Sequence, residues 1–293
     1  MPQNYQQDAQ QLSEFIQYYP KLVVLTGAGV SLASGIPTYR DENGFWQRSE
    51  PMQHHDFIKQ TYTQKRYWAR SFIGWPLMAN AQPNAAHAAL AQLEQLGHSR
   101  LLITQNVDHL HQQAGSRQVI DLHGNLRQII CLSCGAQTTR TALQIRLAKL
   151  NPYLQGLSAD VRPDGDAELS EAHVEQVRIP ACLNCGGVLM PDVVFFGGTV
   201  PVERVQACLT ALQQADALLV VGSSLKVFSG FRFCLRAQEW GKPIALLNPG
   251  NTRADALAQH HWRAPCADVL QAALDNLTTW NKVNNDKLEK HIA

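Results

Sequence analysis

The sequence predicts an α/β protein: a Rossmann-like parallel sheet with helices on both faces, plus a small inserted zinc-ribbon module. Three observations carry this. Four short apolar runs, at 22–25, 101–103, 217–221 and 244–247, are separated by segments of helical spacing such as 84–96 and 202–215, the alternation that builds parallel strands covered by helices. Each run ends in a small or polar cluster: "TGAG", "TQNVD", "GSSL" and "NPG". The middle of the chain breaks the rhythm with two Cys-x-x-Cys pairs and a polar stretch. In open parallel sheets ligands bind outside the carboxyl ends of the strands, so the four clusters mark one expected site.

Length and composition bound the rest. The chain has 293 residues, 45% hydrophobic and 17% charged, enough for a large core. A formal net charge of +1 gives no electrostatic case for nucleic acid or an anionic membrane. No apolar run approaches membrane-spanning length, and the polar start MPQNYQQDAQQ has no signal core; a cytoplasmic protein is expected. Seven cysteines, an odd number, argue against a disulfide framework. The expected organisation is a discontinuous nucleotide-binding domain at 15–130 and 190–278, a zinc module with its insert at 131–189, and a small helical insert at about 45–85.

The first cluster opens "LTGAGVSLASGIPTYRDENGFW", residues 25–46. Gly27 and Gly29 after a strand permit a tight turn and close approach to phosphate, with helix N–H groups beyond. Glycines alone fit any strand-to-helix turn equally well. Arg40 tips the balance with a fixed charge suited to phosphate, and Phe45 and Trp46 add aromatic surface. The second cluster places Gln105, Asn106 and Asp108 just past an apolar run. A surface turn uses one such side chain; three together imply a gripped ligand.

His123, in "LHG", is the candidate base among eleven histidines; near its ordinary pKa of about 6.5 an imidazole takes a proton at neutral pH. His54, His55, His98, His260 and His261 read as ordinary packed or exposed residues. "CLSC" (131–134) and "CLNC" (182–185) supply four thiolates, Cys131, Cys134, Cys182 and Cys185. That is the ligand set of a closed tetrahedral structural zinc, worth on the order of 10 kcal/mol to a small module. Cys208, Cys234 and Cys266 read as small buried apolar residues. "GSS" (222–224) and "NPG" (248–250) offer hydroxyls, an amide and backbone N–H groups to ribose and phosphate; either alone is merely a turn.

Together these residues resemble the sirtuins, the NAD-dependent protein-lysine deacylases, over roughly residues 15–275. "GAGVSLASGIPTYR", "TQNVD", "LHG", the paired Cys-x-x-Cys, "PDVVFFGG", "GSS" and "LNPG" stand in the family's order. "RYWARSFIGWP" (66–76), "RPDGD" (162–166) and "VVGSSLKVFSGFRF" (220–233) are similar to class II, the branch that includes a mitochondrial lipoamidase and ADP-ribosyltransferase. The resemblance implies that Gly27, Ala28, Gly29, Ser31 and Arg40 hold the cofactor phosphates and Phe45 covers the nicotinamide ribose. Gln105, Asn106 and Asp108 grip that ribose and the carboxamide, exposing C1′ to the acyl-lysine oxygen. Gly222, Ser223, Ser224, Asn248, Gly250 and Cys266 flank the adenosine half. His123 then acts as general base and Asn106 as the second catalytic residue, giving nicotinamide, O-acyl-ADP-ribose and free lysine.

The resemblance also implies that an acylated peptide lies between Val194–Gly198 and the loop around Val227–Phe231. Val193, Val194, Phe195, Phe196 and Gly197 would sit on one side, Val227 and Phe228 on the other. Without the family, "VVFF" is simply a buried strand. Thr38 stands where many deacetylases of the family carry an acidic residue, which weakens a default to acetyl. Tyr67 and Arg70, one turn apart on a helix, form a pair able to read an acidic acyl chain; a packed or exposed helix face explains them as well. Arg70→Met is expected to spare deacetylation and abolish activity on acidic acyl groups. The polar insert 151–177, with Asp160, Asp164, Asp166, Glu168 and Glu171, reaches the acyl tunnel or is a solvated loop. Alternatives to the deacylase are mono-ADP-ribosyl transfer and a non-catalytic NAD-sensing zinc scaffold. Acylated protein lysines are the expected partners.

Overall fold

The computed structural model describes residues 5–38, 52–157 and 169–292, with side chains to residue 279. Arg40, Phe45, Trp46, Asp160, Asp164, Asp166 and Glu168 lie outside the described residues.

After α1 (Tyr5–Tyr18) the chain enters β1 (Leu22–Thr26) and a 3₁₀ turn at Ala28–Ser34; α2 (His54–Lys59), α3 (Thr61–Asn80) and α4 (Ala85–Gln95) precede β2 (Ser99–Thr104). Then come α5 (Leu110–Gln113), β3 (Val119–Asp121), β4 (Gly124–Cys131), β5 (Gln137–Thr139), α6 (Arg140–Leu150), α7 (Glu171–Glu175) and β6 (Leu189–Val193). The chain closes with α8 (Val202–Gln214), β7 (Ala217–Val221), α9 (Phe228–Glu239), β8 (Ile244–Leu247), β9 (His260–Trp262) and α10 (Cys266–Ile292).

Six strands form one parallel sheet in the order β3-β2-β1-β7-β8-β9. The four apolar runs are its four central strands. Their side chains alternate between two buried faces, which is why the runs are continuous rather than alternating. Leu22, Val24, Leu102, Leu219 and Leu247 join the core under α1, α4 and α10. Val23, Leu25, Ile103, Val220 and Leu246 join the core under α8 and α9. The strand order reverses between β1 and β7, so the carboxyl ends of these two strands frame a topological switch point. There Gly29 N–H donates to Gly222 O at 2.9 Å. A Cβ on Gly29 would stand 2.8 Å from that oxygen, and one on Gly27 2.7 Å from the Ser223 Cβ. The glycines let two loops touch.

The smaller sheet, β5-β4-β6, is antiparallel. It begins at Gly124 and closes at Val193, so its strands start before and end after the expected module bounds of 131 and 189. Helices α2 and α3 share one core with the smaller sheet and α6: Phe57, Tyr67, Trp68 and Phe72 pack with Ile129, Leu143, Leu147, Val174 and Phe195. Arg140 pins α6 to α3. Its guanidinium donates to Ser71 O at 3.0 Å and Gln144 Oε1 at 2.7 Å and lies over Trp75 and Trp68 at 5.0 and 5.6 Å. Burial lowers its pKa to about 10. The described flanks of the polar insert are docked: Val174 and Val177 are buried in the module core. Asn151 joins the insert's ends, its Nδ2 donating to Leu147 O and Arg178 O at 3.0 and 2.9 Å while Arg178 N–H donates to its Oδ1 at 2.7 Å. Among the described residues no helix is long and apolar enough to cross a membrane.

Candidate active site

One cavity of about 930 Å³ opens at the switch point and runs to the smaller sheet. Its lining comes from the carboxyl ends of the parallel strands and from residues beside the smaller sheet. Gly27, Ala28, Gly29, Ser31, Gln105, Asn106, Asp108, Gly222, Ser223, Ser224, Asn248, Gly250 and Cys266 line its sheet side. Tyr67, Val193, Val194, Phe195, Phe196, Gly197, Val227 and Phe228 line the remainder, with His123 between. Thr38 also lines it. Arg70 does not: it is 4% exposed on α3 and absent from the lining while Tyr67, one turn earlier, is present.

The sheet side is a closed hydrogen-bond network. Gln105 Nε2 donates to Thr26 O at 3.1 Å and Ser223 Oγ at 2.8 Å. Asn106 Nδ2 donates to Gly27 O and Ser31 Oγ, both at 3.1 Å, and its N–H to Thr104 Oγ1 at 3.1 Å. Ser31 Oγ in turn donates to Asp108 Oδ2 at 2.7 Å, and Leu110 N–H donates to Oδ1 at 2.9 Å. Burial raises the Asp108 pKa, and those two hydrogen bonds oppose the rise. Every amide and carboxylate of "TQNVD" thus has a fixed orientation before any ligand arrives.

Two buried histidines that the sequence reading passed over stand behind this network. His87 caps its own helix: Asn84 N–H donates to His87 Nδ1 at 3.3 Å, which leaves the proton on Nε2, 3.4 Å from Ser31 Oγ. His111 Nε2 meets Thr26 Oγ1 at 2.9 Å, and the two rings lie 4.7 Å apart. Burial lowers the His87 pKa to about 4 and holds His111 well below its ordinary value. Both rings are neutral spacers. No local motif marks their contacts with Ser31, Thr26 and each other, because those partners are distant in sequence.

His123 Nδ1 lies 2.9 Å from Gln105 O. A carbonyl only accepts, so the proton sits on Nδ1 and Nε2 is the basic nitrogen. Ser229 Oγ, 2.7 Å away, donates to it. Ser229 is a third residue missed from sequence; it lies on α9, far along the chain from His123. Burial lowers the His123 pKa, the Gln105 bond raises it, and Arg204 and Arg232 lower it further. The net direction is down, which keeps the ring neutral to lower pH than an ordinary histidine. Gly124 makes this placement possible: its φ is +83°, and a Cβ there would fall 2.0 Å from Asp192 O. The His123 carbonyl then accepts from Val194 N–H at 2.8 Å, tying the base to the apolar strand end.

The Sir2 family profile matches residues 27–229 of this chain. The chain belongs to the Sir2 family. A Xanthomonas campestris NAD-dependent protein deacetylase is 51% identical over 259 residues, covering 88% of each chain. The human mitochondrial NAD-dependent protein lipoamidase sirtuin-4 is 48% identical over 263 residues, 89% of this chain and 84% of its own. A solved Sir2 structure with a deacetylated p53 peptide and 3′-O-acetyl-ADP-ribose superposes with a TM-score of 0.74 at 28% identity, over 91% of this chain and 97% of that one.

The Sir2 module also meets the test for a metal. The Sγ atoms of Cys131, Cys134, Cys182 and Cys185 all lie within 4.8 Å of one another, with Cys131–Cys185 at 3.5 Å and Cys134–Cys182 at 3.8 Å. A tetrahedron of Zn–S bonds of about 2.3 Å has edges of about 3.8 Å. Four thiolates fill such a site, leaving zinc no open position for substrate. Cys208, Cys234 and Cys266 are buried singly, and burial pushes each thiol up to about 12.

Proposed function

We propose that the chain is an NAD-dependent protein-lysine deacylase, producing nicotinamide, O-acyl-ADP-ribose and free lysine. The observation that carries this is His123: a neutral imidazole with its tautomer set by Gln105 O, at the junction of a polar floor and an apolar wall in one cavity. NAD would occupy the floor. Gly27, Ala28, Gly29 and Ser31 would hold phosphate and ribose oxygens there, with Ser223, Ser224, Asn248, Gly250 and Cys266 toward the adenosine; the resemblance gives Arg40 to the phosphates and Phe45 to the nicotinamide ribose. Asn106 and Asp108 orient the carboxamide, so that the departing ring is held at a fixed angle to the attacking oxygen. His123 Nε2 exchanges its bond to Ser229 for a ribose hydroxyl and takes its proton.

The acyl-lysine would enter along Val193–Gly197, opposite Val227 and Phe228, and add a strand between them. An apolar wall of Val193, Val194 and Phe195 suits an uncharged acyl chain, and the relative named a lipoamidase supports a long one. Arg70, absent from the lining, supports no acidic selector; Tyr67 remains as part of the wall. The zinc is structural. Unpaired thiols and a four-cysteine metal site suit a reducing compartment, and we place the protein in the cytoplasm.

The test is incubation with NAD and one peptide carrying acetyl, succinyl, hydroxymethylglutaryl, lipoyl or myristoyl lysine in turn, read by mass spectrometry. Free lysine and O-acyl-ADP-ribose should rise together. Nicotinamide released with every peptide still acylated would replace the reading with ADP-ribosyl transfer, and no nicotinamide at all would leave an NAD-sensing scaffold.

A further inference from the structure

The mouth of the cavity beside α9 carries positive charge that no carboxylate among the described residues pairs with. Lys226 and Arg232 line the cavity with Phe228 and Ser229. Arg232 and Arg253 both lie over the Phe228 ring, at 5.5 and 5.9 Å, and Arg253 covers Phe231 at 4.4 Å. Phe228 itself is 53% exposed. Nearby cations are matched by carboxylates: Arg236 pairs with Glu239, and Arg263 reaches Asp255 at 3.6 Å. Among the described residues, Lys226, Arg232 and Arg253 form no such pair. The Arg232 Nε is buried with no hydrogen-bond partner. The one carboxylate in the described lining, Asp108, is already bonded to Ser31 and Leu110.

A guanidinium held face-on by an aromatic ring keeps its N–H edge for another ligand, and that planar fork matches a carboxylate. Phe228 and Arg232 stand one turn apart on α9 and share a face, directed at the mouth through which a peptide strand would pass. In an added strand alternate side chains point the same way, so acids spaced two apart would meet this rim together.

We propose that Lys226, Arg232 and Arg253 with Phe228 form a docking rim for an acidic segment of the substrate protein, its aspartate or glutamate side chains flanking the acylated lysine. This rests on the deacylase reading. The rim selects among substrates by sequence, whatever acyl group the lysine carries.

The experiment uses three peptides with the same acyl-lysine, flanked by glutamate, glutamine or lysine, and compares kcat/KM at low salt and at about 0.5 M, where charges are screened within a few ångströms. Wild type should favour the glutamate over the glutamine peptide by roughly fivefold, as two partly exposed ion pairs supply, and salt should shrink the ratio. Arg232→Gln should lower the ratio toward one. The exposed Arg253→Glu, which takes the rim from three positive charges to a net of one, should lower the ratio further than Arg232→Gln does, with KM for NAD unmoved and the thermal midpoint measured alongside because Arg253 covers Phe231. A ratio of one in wild type overturns the proposal. So does a rise in KM for NAD with the peptide ratio intact, which would give these cations to the dinucleotide phosphates. A gain that follows a succinyl carboxylate on the neutral peptide, rather than the flanking residues, overturns it too. Fluorescence anisotropy with a labelled, unacylated glutamate peptide separates the two readings. Binding that Arg253→Glu abolishes, with no deacylation, keeps the rim and removes the deacylase; deacylation without acid preference does the reverse.

Discussion

The two sides of the cavity are built by different physics. The floor, at the ends of β1, β2 and β7, is held by directed hydrogen bonds among Thr26, Ser31, Gln105, Asn106, Asp108 and Ser223. The wall, from Tyr67 and Val193–Phe196, is held by apolar packing against α2, α3 and the smaller sheet. Hydrogen bonds specify angle, and the floor needs angle to orient a cofactor. Packing specifies volume, and the wall needs volume to admit or refuse a chain. His123 belongs to both, through Gln105 O on one side and Val194 N–H on the other.

The largest effect should come from removing the metal, because it strikes the wall alone. Chelation, or Cys134→Ser, withdraws on the order of 10 kcal/mol from a module this small. Hydrogen exchange should show β4, β5, β6 and α6 losing protection while β1, β2, β7 and β8 keep theirs. Equal loss in both sheets would mean that the two sides fold as one unit and that the contrast fails.

His123→Ala comes next. A positioned base contributes roughly 10²- to 10⁴-fold, so turnover should fall by that much with NAD binding and thermal midpoint nearly unchanged. In wild type the acid limb of the pH–rate profile should lie below 6.5, since the pKa of the ring is lowered and its neutral form persists to lower pH. A limb above 6.5 would contradict the buried, tautomer-fixed imidazole.

Gly124→Ala sharpens the comparison at the join. A positive φ combined with the overlap at Asp192 O should cost roughly 2–5 kcal/mol. Activity should fall further than the stability loss explains, because the adjacent His123 must shift. A variant that melts lower but turns over normally would show that the join tolerates movement.

The smallest effect tests the floor. His87 is neutral in the fold with a pKa of about 4, against 6.5 when unfolded. Its contribution is therefore full above pH 6.5 and lost as pH falls toward 4, up to about 3 kcal/mol. Stability measured by urea from pH 7 to pH 4 should decline more in wild type than in His87→Asn, which retains a cap acceptor without the titrating ring. Identical slopes would remove the histidine from the account.

Much of the floor was legible because it is local: each cluster follows an apolar run, and the runs became the central strands. The edge strands were not, since β3 and β9 are three residues each and "HHW" is neither apolar nor alternating. The zinc site was legible because spacing alone defines a knuckle. Ser229, His87 and His111 were illegible for one reason: their contacts with His123, Ser31 and Thr26 join residues distant in sequence, and a serine in "FSG" or a histidine in "AAHAA" carries no local sign of them. The Tyr67–Arg70 pair is a different case: Tyr67 lines the cavity and Arg70 does not. One helical turn puts two residues on a face without saying whether that face meets the cavity or the core.

Asn151 has a consequence for engineering. Its amide spans the base of the polar insert, bonding Arg178 through both backbone groups, while Val174 and Val177 anchor the described flank in the module core. Lengthening a loop already clamped at its ends costs little, since closure entropy grows only with the logarithm of length. A designer can therefore add length between residues 157 and 169 while Asn151, Val174, β4, β6 and the histidine beside them stay where they are.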